Sequence, residues 1–269
     1  METLASGIRY RHWGVENARG AVLLVHGLGE HSGRYQKLAK DFNARGLAVL
    51  APDHLGHGES PGHRVFVQHF DDYLIGVREL RAVIAERYPR LPCFVLGHSM
   101  GGLITARLLL EDQAQYQGAL LSGPAFAAEA PPSALVMWIG RLLAKWAPKA
   151  GLISLDASGV SRDPSVVADY MADPLVNHGK VTAALGIAIF DAMDQVMTQA
   201  QIISLPLLIM HGDADTMAAP KGSEQFAKVV GSEDLTIKLL PGLYHEIFNE
   251  PEGPEIIAAY ADWIEARLA

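Results

Sequence analysis

Six short apolar runs, each closed by glycine or proline and separated from the next by a helical pattern, constrain this chain most. They are AVLLVHG (21–27), LAVLAPD (47–53), CFVLG (93–97), ALLSG (119–123), LPLLIMHG (205–212) and LTIKLLPG (235–242). A run that is nearly continuous rather than alternating has no face left for water, so it reads as a strand covered on both sides. Between them, Tyr35, Leu38, Ala39 and Phe42 show helical spacing within 31–45, and Leu74, Val77, Leu80, Ala82 and Ile84 do so within 70–88. Further helices are expected from Met100, near 221–230 and from about Pro251. Strand–helix alternation of this kind predicts an α/β fold, a mostly parallel central sheet with helices on both faces.

The rhythm breaks after Gly123. Residues 124–200 show no convincing strand and read as two or more helices joined by turns such as RDPS and ADPL. The expected organisation is therefore one α/β core, 1–123 and 201–269, interrupted by a helical cap at 124–200. At 269 residues and 49% hydrophobic, the chain can bury such a core.

The bulk chemistry excludes several classes. A net charge of −8 is the wrong sign for a phosphate-binding surface, so no nucleic-acid partner is expected. The single cysteine, Cys93, forms no internal disulfide and sits in an apolar run, as a small core residue would. The first residues, METLASGIRYRHWG, lack the basic start and apolar stretch of a signal peptide, and no window reaches the ~20 apolar residues of a membrane span. A cytoplasmic protein is expected, at most peripheral to a membrane.

GHSMG (97–101) fits the G-x-S-x-G pattern, which places a serine on a sharp turn between strand and helix. Ser99 there is either a helix N-cap or a nucleophile, and the distinction rests on what the rest of the chain supplies. A serine nucleophile needs a histidine base oriented by a carboxylate, expected after later strands with the acid first. HGDAD (211–215) follows the strand at 205–210, and His245 follows the strand at 235–241. Spacing leaves Asp213 and Asp215 both open as the acid. The oxyanion hole needs backbone N–H donors: Met100, directly after the serine, and Leu28, in the Gly-rich loop HGLGEHSGRY (26–35).

Together HGLGEHSGRY, DHLGHGESPG (53–62), GHSMGG (97–102), HGDAD and the late His245 resemble the α/β-hydrolase superfamily, in particular its monoacylglycerol lipase and lysophospholipase branch. SRDP (161–164) and YMADPLV (170–176) resemble that branch's cap. The resemblance implies a catalytic triad of Ser99 as nucleophile, Asp215 rather than Asp213 as acid, and His245 as base. It places Glu30 and Arg34 near the alcohol portion of the substrate. It implies hydrolysis of a small-molecule lipid ester, most simply a monoacylglycerol, with no cofactor. Phe248 departs from the branch, some members of which carry a polar residue there. Lysophospholipase and general carboxylesterase activity are neighbouring readings, and a ligand-binding protein that keeps the triad is a reading from another class.

Other candidates have plainer roles. His54 and His57 lack a third ligand and read as turn-forming rather than as a metal site; His98 reads as packing, and Glu246 as a solvated or loop-anchoring carboxylate. In SALVMWIGRLLAKWAPKA (133–150), a helix would gather Arg141, Lys145 and Lys149 on one side. This is either a cap helix with a solvated basic edge or a lid whose apolar face makes transient contact with lipid aggregates or a membrane surface. VTAALGIAIFDAM (181–193) is apolar around most of its circumference, as the wall of a greasy pocket would be.

Overall fold

With apolar side chains on both faces, the runs can be buried only between two layers of helices. A computed structural model, describing residues 1–154 and 156–268, has that architecture for five of the six runs, whereas the sixth, Leu235–Leu240, lies at the sheet edge and is half exposed rather than covered on both sides. In chain order the elements are β1 (Glu2–Thr3), β2 (Arg9–Trp13), β3 (Gly20–Val25), α1 (Gln36–Ala44), β4 (Leu47–Pro52), α2 (Asp72–Arg87), β5 (Cys93–His98), α3 (Met100–Asp112) and β6 (Gly118–Ser122). There follow α4 (Ala134–Trp146), β7 (Gly151–Ile153), α5 (Pro164–Ala172), β8 (Val181–Thr182) and α6 (Ala183–Gln199). The chain continues through β9 (Leu207–Gly212), α7 (Pro220–Val229), β10 (Leu235–Leu240) and α8 (Gly253–Glu265).

The sheet has eight strands in the order β1-β2-β4-β3-β5-β6-β9-β10. The six expected strands pair in parallel, and β1 and β2 add an antiparallel edge. That edge has no counterpart in the apolar runs: Arg9–Trp13 is polar and only half buried, and backbone pairing to β4 holds it in place. Period-two alternation divides the core. Ala21, Leu23 and Val25 of β3 pack under α2, α3 and α6, whereas Val22 and Leu24 pack under α1 and α8. Cys93 is buried in the first of these cores, as expected.

Segment 124–200 differs from its sequence reading in two respects. It contains two short strands, β7 and β8, paired antiparallel. They are too short to show a periodic signal. The helix expected over 133–150 ends at Trp146, because Ala147 precedes Pro148 and is forced out of helical geometry (φ −140°, ψ 60°). Lys149 therefore lies beyond the helix and does not share a face with Arg141 and Lys145.

The strand order sets the location of the site. From β3 the chain adds β4 on one side and then β5 and β6 on the other, so the order of strand addition reverses and a crevice opens at the carboxyl ends of β3 and β5. The loop 26–35 and the β5–α3 turn meet there. That turn is tight: a Cβ on Gly101 would stand 2.0 Å from the Val25 carbonyl oxygen, and one on Gly97 2.4 Å from the Gly101 carbonyl oxygen. Because backbone cannot yield as a flexible side chain can, Gly101→Ala is expected to destabilise at or beyond the upper end of the ~1–3 kcal/mol typical of overpacking. A urea midpoint unchanged from wild type would contradict this packing.

Candidate active site

Ser99 occupies the pivot between β5 and α3 with φ 55° and ψ −122°. Its N–H donates to the Ser122 carbonyl at 3.0 Å, and its side chain makes no helix-capping bond. The hydroxyl is therefore free for His245, whose Nε2 lies 2.8 Å from Ser99 Oγ. His245 Nδ1 lies 2.6 Å from Asp215 Oδ2. Asp215 is held in turn: its Oδ1 accepts from the N–H groups of Met217 (2.7 Å) and Ala218 (3.0 Å). Asp213 points elsewhere, being exposed and accepting from the Gly242 N–H at 2.6 Å.

The electrostatics follow from burial and pairing. Burial opposes a charged His245 ring, but the adjacent Asp215 carboxylate outweighs it and holds the imidazole above its ordinary 6.5. Burial likewise opposes Asp215 ionising. The His245 ring and the hydrogen bonds from His211 and His245 overcome this and hold its carboxyl well below the usual range. His211 was legible only as part of HGDAD. It stands four residues before Asp215, its Nε2–H reaches Asp215 Oδ2 at 3.0 Å, and Ser223 Oγ–H donates to its Nδ1 at 2.7 Å. Ser223, His211, Asp215, His245 and Ser99 thus form one hydrogen-bonded chain.

The backbone N–H groups of Leu28 and Met100 have no protein acceptor among the described hydrogen bonds, and both residues border the cavity above Ser99. Such free donors suit a developing oxyanion. Beneath the loop, His26, His54 and His57 form a buried cluster of mutually tilted rings. Burial pushes the rings of His54 and His57 down to about 3 and about 4. The His54 N–H donates to His26 Nε2, so the cluster shapes the turn. Among the described residues no group of three or more side chains suits a metal. His98 packs with its Nδ1 on the Ser122 carbonyl at 3.0 Å.

The two residues expected near the alcohol portion separate. Glu30 borders the cavity and accepts from the Gly27 N–H and the Tyr35 hydroxyl, each at 2.6 Å. Arg34 does not border it. Its guanidinium binds Glu246 bidentately at 2.5 and 2.7 Å, reaches Glu30 at 3.0 Å, and lies 4.7 Å from the Tyr170 ring centroid. Glu246 is thus a buried anchor and not a solvated carboxylate. Burial raises its pKa, but Arg34 more than offsets this and holds it low. Phe248 is buried against Tyr260, away from the cavity, so its departure from the branch leaves the cavity wall unaltered.

The cavity holds about 170 Å³ and is lined mainly by apolar side chains, with Val181, Ile189, Phe190 and Met193 on one wall. The apolar stretch 181–193 forms that wall, as its composition predicted. No α4 residue lines it. A serine activated in this way, between two free N–H donors and beneath an apolar cavity, can carry out acyl transfer on a hydrophobic acyl group.

The family profile described as serine aminopeptidase, S33, matches residues 16–252. A monoacylglycerol lipase of Mycolicibacterium smegmatis is 42% identical over 250 residues, covering 93% of this chain and 89% of the relative. A monoglyceride lipase of Homo sapiens is 33% identical over 264 residues, covering 96% and 87%. The crystal structure of a monoacylglycerol lipase from Paleococcus ferrophilus superposes with a TM-score of 0.89 at 33% identity, covering 97% of this chain and 99% of that one.

A base must be neutral to accept a proton. The rate of Ser99 labelling by a fluorophosphonate is therefore expected to fall on acidification, with a midpoint above 6.5, since the His245 pKa is raised. Asp215→Asn should lower the rate by roughly 10⁴-fold and Asp213→Asn should leave it near wild type. Equal losses in both variants would refute the assignment of the acid.

Proposed function

The chain belongs to the serine aminopeptidase S33 family and resembles monoacylglycerol lipases over nearly its whole length; from that premise we propose that it hydrolyses monoacylglycerols to glycerol and fatty acid. The observation that carries this reading is the Asp215–His245–Ser99 chain opening into an apolar cavity. The apolar lining favours an acyl chain over a peptide, whose amide groups would lose their hydrogen bonds there.

In this reading His245 takes the Ser99 proton as Oγ attacks the ester carbonyl, and the N–H groups of Leu28 and Met100 receive the oxyanion. Asp215 fixes the tautomer and stabilises the imidazolium. The alcohol leaves with the proton from His245, and water repeats the sequence to release the acid. Glu30 faces the alcohol portion, while Arg34 acts through Glu30 and Glu246.

Segment 124–200 is the cap. Gly186 of α6 borders the cavity, and a Cβ there would meet no atom within 4 Å. A glycine within a helix costs about 1 kcal/mol relative to alanine, and here it leaves room for the acyl chain. On α4, Leu135, Val136, Trp138 and Trp146 face solvent, Trp146 at 77% exposure. Arg141 is paired with Asp191, and the helix presents an apolar ridge beside the exposed Lys145. Its occupant in this reading is a lipid surface. Among the described residues no helix is long and apolar enough to cross a membrane.

A panel of monoacylglycerols, lysophospholipids and short p-nitrophenyl esters tests the substrate. Monoacylglycerols should give the highest kcat/KM, and Ser99→Ala should abolish turnover. Gly186→Leu should lose long-chain substrates at least tenfold while sparing acetyl esters. Preference for lysophospholipids or aryl esters would overturn the substrate while sparing the chemistry. In a second test, Trp138→Ser/Trp146→Ser should lower binding to phosphatidylcholine vesicles several-fold with hydrolysis of soluble short esters unchanged; equal vesicle binding would remove the docking role.

A further inference from the structure

Two motifs in the inserted segment, SRDP (161–164) and ADPLV (172–176), do none of the chemistry above, yet both reach the loops that do. At one end the chain meets the loop carrying His245. The His245 N–H donates to the Gly159 carbonyl at 3.4 Å and the Glu246 N–H to the Val160 carbonyl at 2.8 Å. Ser161 Oγ–H donates to the Asn249 carbonyl at 3.1 Å. Arg162 then binds Glu250 twice, its backbone N–H to Oε1 at 3.0 Å and its Nε–H to Oε2 at 2.6 Å. The Glu250 side chain is wholly buried, and its Oε1 also accepts from the N–H of Tyr244, the neighbour of His245, at 3.2 Å.

At the other end the chain meets the loop carrying Leu28. The Asn177 N–H donates to the Gly29 carbonyl at 2.7 Å. The Gly33 N–H donates to His31 Nδ1, which leaves the His31 Nε2–H to donate to Asp173 Oδ2 at 2.8 Å. Between the two ends runs α5, opened by Asp163 accepting from the Ser165 N–H at 2.9 Å and closed before Pro174. A short helix capped at its N-terminus and stopped by proline at its C-terminus is a stiff spacer.

We propose that residues 159–177 are a strap that sets the distance and orientation between the His245 loop and the oxyanion loop, with Arg162 and Asp173 as its positioning residues. Lifting it would leave the Glu250 carboxylate buried without its cation and free two loop backbones that carry reacting groups. By contrast α4 packs on α6, to which Arg141 is bound through Asp191, and among the described residues no hydrogen bond joins it to either loop. The strap rests on the hydrolytic reading of Ser99, which wild-type fluorophosphonate labelling tests separately.

The experiment measures p-nitrophenyl acetate hydrolysis, which does not need the long-chain cavity, together with Tm, in Arg162→Ala, Asp173→Ala, Asp173→Asn and the double Arg162→Ala/Asp173→Ala variant. Each alanine variant should lose at least tenfold in kcat with KM within twofold. Asp173→Asn, which keeps an acceptor for His31, should recover most of the loss. The double variant should lose little more than either single, since a strap released at one end no longer positions either loop. Folded single variants with kcat within twofold of wild type, or losses that multiply in the double, would overturn the strap. Should Arg162→Ala not fold, amide exchange at Glu246 and Asn177 in Asp173→Ala decides: faster exchange at both supports one element, and faster exchange at Asn177 alone refutes it.

Discussion

The backbone of Ser99 is the constraint on which the rest of this structure depends. A non-glycine residue at positive φ costs of order 1–3 kcal/mol and persists only where its surroundings over-determine it. Here they do. The Ser99 N–H is bound to the Ser122 carbonyl, and its own carbonyl accepts from Gly102, Leu103 and Ala125. Gly97 and Gly101 let strand, turn and helix approach closer than any side chain permits. The same bonds fasten β5, α3 and the residues after β6 to one point, so the sheet order and the position of the Ser99 hydroxyl are consequences of one geometry.

Around that point the acidic residues of a chain with net charge −8 are turned inward as anchors. Asp215 orients His245, Glu246 and Glu30 share Arg34, and Glu250 holds Arg162. Each buried carboxylate is matched by a cation or by several donors, as burial demands. Asp215, Glu246 and Glu250 each fasten a loop of the site to a distant part of the chain, whereas Glu30 bonds within its own loop. Local order at the site thus comes largely from long-range ion pairs.

The fold was legible where burial left a periodic signal. All six apolar runs became strands, and GHSMG, HGDAD and His245 converge as their order implied. The antiparallel edge was not legible, because β2 is polar and owes its place to backbone pairing. Helix 133–150 was read too long because periodicity continues past Trp146 while Pro148 forbids the geometry. Arg34 and Glu246 lie 212 residues apart, and no local pattern marks such a pair.

By itself the sequence determined the α/β layering, the sharp serine turn and the chain order of Ser99, the HGDAD aspartates and His245, since each is written in local spacing and residue type. The pairing of Asp215 rather than Asp213 with His245, which spacing left open and only the family resemblance implied, is visible in the tertiary structure; the withdrawal of Arg34 from the cavity and the binding of segment 159–177 to both loops were decided by tertiary structure alone. Their reason is the same: a buried charge takes the partner that folding brings within reach, and that distance is not encoded along the chain.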